Sequence, residues 1–413
     1  MPYLTTNLPG IGGQLKANPE DFRVEEIPLY LPSGEGQHIY VEIEKRRLST
    51  FDAIRQLAQA LKISPNLIGY AGMKDSYAIT RQTLSIDNIA PETLEQINLP
   101  NVKILSINRH RNKLKIGHLK ANRFILRVCE VEETVLPQAE AILTTLAAQG
   151  VPNFFGEQRF GNRGNTHRLG HLLVRHNEAE FISEYLGRPQ PHEFPDVQAA
   201  RQLVDEGQWE AALAKWPQNL LTDERRMLAS IVKAQGQLEG ITQWLSSKLK
   251  TFFISAFQSQ LFNELLTQRL ATLTTLEWGD VAYIHRNGAA FVVEDVATEQ
   301  PRADAFEISP SGPLFGTKTL MPQGEPGQRE QAMLDQHDLT LEHFKLPGLK
   351  LRGERRPYRF PLTDPKVWWD DGLMLSFELP PGTYATTVMA EVMKPSLASS
   401  PTDSLPSTAH PSR

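Results

Sequence analysis

Cysteine is nearly absent from this chain: Cys129 stands alone among 413 residues. It can form no intrachain disulfide and complete no cysteine-based zinc site. Within the apolar stretch 124–128 it is expected to act as a small buried hydrophobe rather than a nucleophile. No run of about 18 consecutive apolar residues occurs, and the opening Met-Pro-Tyr-Leu-Thr-Thr-Asn lacks the basic segment and apolar core of a secretion signal. These gaps predict a protein with no membrane partner and a cytoplasmic location. Net positive charge is also lacking: the formal charge is -5, so any affinity for nucleic acid must come from local clustering. Gly10-Ile11-Gly12-Gly13 lacks the spacing of a dinucleotide loop, and no Gly-Lys-Ser/Thr phosphate loop is present. His167 and His171 are four apart, but no glutamate follows His167 and no cysteine completes a ligand set. Neither a metal nor another cofactor is expected.

What is present reads as an α+β chain. Alternating apolar residues predict strands over 38–44, 83–86, 102–107 and 124–129. Between them, Phe51, Ile54, Leu57, Ala58 and Leu61 share one face at helical spacing, with Ser49 or Thr50 as the cap. A further helix is expected over 138–148. From about 168 to 344 helices dominate, including a long one within 241–270, with one hairpin signal at Asn287-Gly288. Residues 373–379 return to strand patterning, followed by Pro-Pro-Gly and a short helix near 384–393. The economical organisation is a domain built from 1–167 and 345–394, interrupted by a helix-rich α+β insertion over 168–344. The Ser/Pro/Thr-rich tail 395–413 carries too few large apolar residues to offset its ordering entropy and is expected to be disordered.

One stretch, 103–127, concentrates Lys103, Arg109, Arg111, Lys113, Lys115, Lys120, Arg123 and Arg127 without an acid. It reads either as a solvated strand face or as a surface for polyanions, with Arg109, Arg111, Lys113 and Lys115 as the RNA-binding candidates. Arg159 and Arg163, and Arg355 among the arginines between 352 and 359, could also reach phosphate. The acids Asp370-Asp371 cannot flank a glycoside, because adjacent side chains do not face one another across a substrate.

The most telling run is 69–82, Gly-Tyr-Ala-Gly-Met-Lys-Asp-Ser-Tyr-Ala-Ile-Thr-Arg-Gln. It places a carboxylate, Asp75, on a polar segment leading into a strand. Four more stretches follow in order around it: Lys-Ala-Asn-Pro-Glu-Asp-Phe-Arg-Val-Glu-Glu over 16–26, Pro-Asn-Phe-Phe-Gly-Glu-Gln-Arg-Phe-Gly over 152–161, Phe-Gln-Ser-Gln-Leu-Phe-Asn over 257–263 and Leu-Pro-Pro-Gly-Thr-Tyr-Ala-Thr over 379–386. Together they resemble the TruD-type tRNA pseudouridine synthases over nearly the whole chain.

The resemblance implies a catalytic domain with a mixed, mostly antiparallel sheet flanked by helices. It also implies isomerisation of a uridine in tRNA, at position 13 by analogy, without a cofactor or an obligate protein partner. It assigns Asp75 as the catalytic carboxylate, Lys16 as its cationic partner and Phe155 as the platform for an extruded base, with Asn153 placed to bond the uracil edge or orient Asp75, and Phe22 to pack behind Asp75 or against the base. Ser76, Ala121 and Ala390 depart from the family's Arg, Gly and Arg, which bears on target choice more than on chemistry. A non-catalytic tRNA-binding module is the alternative, and a carboxylate enzyme acting on a free nucleoside or glycoside is a second.

Overall fold

The structure, a computed structural model, describes residues 2–15, 17–87 and 89–394. Lys16 and the tail 395–413 therefore lie outside the described residues.

The chain divides into two units: Pro152–Arg359, and the segments on either side of it. The second of these is built on a mixed sheet. Its strands in chain order are β1 (Gln14–Leu15), β2 (Phe22–Pro28), β3 (His38–Arg46), β4 (Ile68–Tyr70), β5 (Ile79–Asp87), β6 (Val102–His110), β7 (Leu119–Cys129) and the two return strands Thr363–Trp369 and Leu373–Leu379. From one edge the order is Thr363–Trp369, Leu373–Leu379, β7, β2, β5, β3, β6, with β1 added on β7 and β4 on β5. Only the β2–β5 pairing is parallel among the described strands.

Alternation along each strand sets which face is covered. On β3, Ile39, Val41 and Ile43 point to one side and are fully buried. There they meet helix α1 (Thr50–Leu61), which contributes Ala53, Ile54, Leu57 and Ala58. Ser49 caps α1 by accepting the amide of Asp52 at 3.1 Å. Phe51, expected on the buried stripe, is exposed, and Ala53 takes its place. On β7, Phe124, Leu126 and Val128 pack with Leu373, Leu375 and Phe377 beneath the helices Leu136–Gln149 and Ala385–Met393.

The unit Pro152–Arg359 centres on the helix Ser247–Arg269. Its buried residues occupy all sides and include Gln258, Ser259, Asn263 and Arg269, so it is enclosed rather than striped. Gly170 lets the helix Thr166–Val174 lie against it, because a methyl group there would overlap the carbonyl oxygen of Phe253. The hairpin at Asn287-Gly288 joins Val281–Ile284 to Ala290–Val292. It belongs to an antiparallel sheet completed by Ile308–Leu314 and Glu354–Pro357. This unit reaches past both boundaries expected for the insertion, 168 and 344. Composition does not change at 152 or 359. The flanks join the unit through specific polar contacts, which sequence periodicity does not report.

Candidate active site

Two groups of residues matter, one in each unit. In the sheet unit, β4 and β5 are joined by residues 71–78, a segment without helix or strand. Ala71 and Ala78 bury its two ends. Between them Lys74 is buried and Asp75 is exposed. Lys74 Nζ lies 2.8 Å from Glu26 Oε2 on β2, with both side chains buried. It is an ionic contact rather than an aligned hydrogen bond. The Lys74 amide donates to Thr50 Oγ1 at 2.9 Å, and Thr50 donates to Gln82 Oε1 at 3.0 Å. The segment carrying Asp75 is thereby tied to the start of α1 and to β5.

Lys45, near the end of β3, completes this arrangement and was not among the sequence candidates. Its side chain has no solvent exposure, and its Nζ donates to the carbonyls of Asp75 at 2.9 Å and Leu48 at 2.5 Å. Burial lowers its pKa from 10.5 to about 8, with the charge of Asp75 opposing that shift and Lys74 adding to it. The signal was readable: in the alternation of β3, Lys45 falls in step with Ile39, Val41 and Ile43, on the covered face. Phe22 opens β2 and is 2% exposed, its ring edge-on to Phe124 with centroids 6.1 Å apart. It presents no open face for a base, so its place is in the packing.

The basic stretch does not form one surface. β6 and β7 are separated in the sheet by β3, β5 and β2. Arg123 pairs with Glu378 at 2.6 Å, and Arg127 lies 3.3 Å from Asp371 and 3.7 Å from Asp21. Arg109, Arg111, Lys113 and Lys115 lie at or just beyond the end of β6. Arg109 donates to the Gly36 carbonyl at 3.3 Å, Arg111 meets Glu35, and Lys113 donates to the Asn66 carbonyl at 2.7 Å. Arg111 and Glu35 are both well exposed, so that pair contributes at most about 1 kcal/mol and yields readily to a phosphate. If these side chains bind RNA, replacing Arg109, Arg111 and Lys113 together by alanine should weaken tRNA binding. It should also flatten the dependence of log affinity on log salt by about one to two units. Titrations across a salt series check this, and an unchanged slope would make the stretch a solvated edge.

In the other unit, Phe155 is half-buried on residues 153–156. Asn263 of the long helix fixes its backbone from both sides, accepting its amide and donating to its carbonyl, each at 2.9 Å. Phe262 packs edge-on to the ring at 5.6 Å. The Arg356 guanidinium lies 4.1 Å from the ring centroid and that of Arg159 5.6 Å, both at cation–π range. Arg159 is held by Ser259 at 3.2 Å. Asn153 is 3% exposed: its amide donates to the Pro357 carbonyl at 2.9 Å, and its Oδ1 accepts from Arg356. Asn153 thus orients Arg356. Phe154 is buried.

Two arginines proposed for phosphate have other partners. Arg163 donates to the carbonyls of Glu184, Tyr185, Gly187 and Arg188 at 2.7–3.4 Å. It thus satisfies the acceptors left open at the end of the helix Glu178–Leu186. Arg355 forms a two-pronged pair with Glu330 at 2.8 and 2.9 Å, the side chains 4% and 5% exposed. A sequence shows arginines but not their partners, so neither role was visible there.

A solved structure described as a putative tRNA pseudouridine synthase D from Methanosarcina mazei is similar, with a TM-score of 0.85 and 30% identity. The match covers 95% of this chain and 96% of that one. The fold is thus that of a pseudouridine synthase, an isomerase. The family model described as tRNA pseudouridine synthase D (TruD) matches residues 1–392. Relatives bearing that name include those of Geobacter metallireducens, 46% identical over 394 residues (95% of this chain and 97% of the relative), and of Geotalea daltonii, 46% identical over 395 residues (95% and 99%). The chain belongs to the TruD family of tRNA pseudouridine synthases. Among the described residues no helix is long and apolar enough to cross a membrane.

Proposed function

We propose that this protein converts a uridine of tRNA to pseudouridine, that Asp75 is the carboxylate responsible, and that no cofactor takes part. The observation that carries the reading is the setting of Asp75. It is an exposed carboxylate whose own carbonyl is held by a buried lysine, on a segment whose preceding side chain is locked into a buried pair.

The reaction breaks the bond from uracil N1 to ribose C1′, turns the base, joins C5 to C1′ and releases the C5 proton, while N1 gains a proton. Product and substrate have the same formula and no electrons are exchanged, so the chemistry calls for no redox partner and no nucleotide. Asp75 attacks C1′ or removes a neighbouring ribose proton. Both routes need the base taken out of its stack. The family resemblance assigns Phe155 as the sequence-tolerant platform for that base, worth roughly 1–3 kcal/mol per stacked base. Lys16 is the cation assigned to Asp75 by the family resemblance. The same resemblance points to position 13 of tRNA, and a tRNA substrate suits a cytoplasmic location.

The test is to incubate purified protein with unmodified tRNA transcript, excess chelator and no nucleotide, and to map pseudouridine. A single modified site at position 13 is expected. Activity lost to the chelator and restored by zinc would overturn the cofactor-free reading, and modification elsewhere would overturn the target.

A further inference from the structure

We propose that Lys45 is a positioning residue for the isomerisation: its buried ammonium ties the main chain at Asp75 to the end of β3, holding the carboxylate still while the base turns. The inference rests on Asp75 being the reacting carboxylate.

Residues 71–78 carry no strand or helix of their own; backbone bonds from Gly117 to the Ala71 carbonyl and from Arg47 to the Ala78 carbonyl hold the two ends, and between them side-chain tethers reach the segment at Lys74 and Asp75. One tether acts through the preceding residue, Lys74, whose side chain and amide reach β2 and α1. The other acts on Asp75 itself. Lys45 reaches its carbonyl from a strand that is paired on both sides, to β5 and to β6.

Lysine is a costly choice at this place. The position is fully enclosed and in step with three aliphatic residues, where methionine or leucine would pack without charge. A buried ammonium is disfavoured unless it is paired and hydrogen-bonded, and burial does lower the pKa of this one. A local rule broken at a buried position is expected where function requires it. The charged groups that act on Lys45 are Asp75, which favours the ammonium, and Lys74, which opposes it and is itself paired with Glu26. A side chain that served packing alone would not require a donor at its tip.

Single-turnover rate at saturating tRNA, tRNA dissociation constant and thermal midpoint should be measured for the wild type, Lys45→Met and Asp75→Asn. For Lys45→Met the expected result is a rate about 100-fold lower, the loss that a displacement near 1 Å can cause. Its dissociation constant and thermal midpoint should stay close to those of the wild type. A folded Lys45→Met enzyme with the wild-type rate, or a loss confined to tRNA affinity, would overturn the proposal.

A pH series stands if that variant does not fold. Neutralising Lys45 removes the charge assistance that roughly doubles the strength of such hydrogen bonds, so the wild-type rate should fall as pH rises through about 8. Stability should move the other way. The unfolded lysine holds its proton up to its ordinary value of 10.5, so unfolding takes up a proton between about 8 and 10.5, and the contribution of Lys45 to stability rises with pH there. A wild-type rate that does not fall across that range overturns the proposal. The Asp75→Asn arm separates the two readings. Activity in that variant refutes the role of Asp75, whereas its inactivity beside a fully active Lys45→Met refutes only the anchor.

Discussion

Replacing Asp75 by asparagine should lower the rate of pseudouridine formation roughly ten-thousand-fold or more, the scale on which loss of a reacting side chain acts in covalent catalysis. Asparagine is nearly isosteric and keeps the backbone, so the Lys45 bond to the Asp75 carbonyl and the Lys74–Glu26 pair should survive. The side chain is exposed, which removes packing as an alternative cause of the loss. tRNA affinity should change only a few-fold, because one carboxylate is a small part of an interface with RNA. Single-turnover assays beside equilibrium binding make the comparison. Substantial conversion by the asparagine variant would mean that another group carries the reaction.

The second large effect concerns stability. Arg355→Ala removes one half of a pair that is almost completely enclosed and leaves Glu330 charged without its partner. Breaking a buried pair in this way costs about 3–5 kcal/mol, which for a unit of this size lowers the thermal midpoint by about 10 °C. Arg355 also donates to Ser311 Oγ at 3.1 Å and to the Leu320 carbonyl at 3.2 Å, so more than the ion pair is lost. Burial raises the Glu330 pKa and Arg355 opposes that shift, so removing the arginine should raise it further. Removing both charges, as Arg355→Met with Glu330→Leu, should recover much of the loss, since a well-packed apolar pair can replace a buried ionic one. Had Arg355 been a phosphate contact, alanine there would weaken tRNA binding and leave the midpoint unchanged. Calorimetry and binding on the same two variants distinguish these outcomes.

Much of the fold was legible in the sequence because alternation and helical spacing report burial directly. The strand Leu373–Leu379, the helix Leu136–Gln149 and the hairpin at Asn287-Gly288 all follow from such local patterns. The partners of long polar side chains were not legible. Arg163, Arg355 and Asn153 all looked available to a ligand, and each is engaged within its own unit by residues up to 204 positions away. The basic stretch is divided for the same reason, although Arg109, Arg111, Lys113 and Lys115 stay together at the end of β6. Adjacency in sequence hid the three strands that separate β6 from β7. Lys45 is the opposite case, in which a strict reading of the period on β3 would have exposed a buried charge beside the reacting segment. Phe22 is buried edge-on against Phe124, a placement that strand alternation does not assign to a particular partner.

The placement of Leu373–Leu379 between β7 and Thr363–Trp369 bears on how the chain is made. During synthesis, β7 emerges with one edge unpaired and with Phe124, Leu126 and Val128 lacking the neighbours that later cover them. Those neighbours arrive only after roughly 240 further residues, a wait of about 12–50 s at ordinary translation rates. Pro152–Arg359 can fold as a unit in that interval, while the half of the sheet that already holds Asp75 stays open at an apolar edge. Nascent chains of intermediate length therefore carry the segment with Asp75 before they carry a finished sheet, and for that interval an unpaired apolar edge is open to pairing elsewhere.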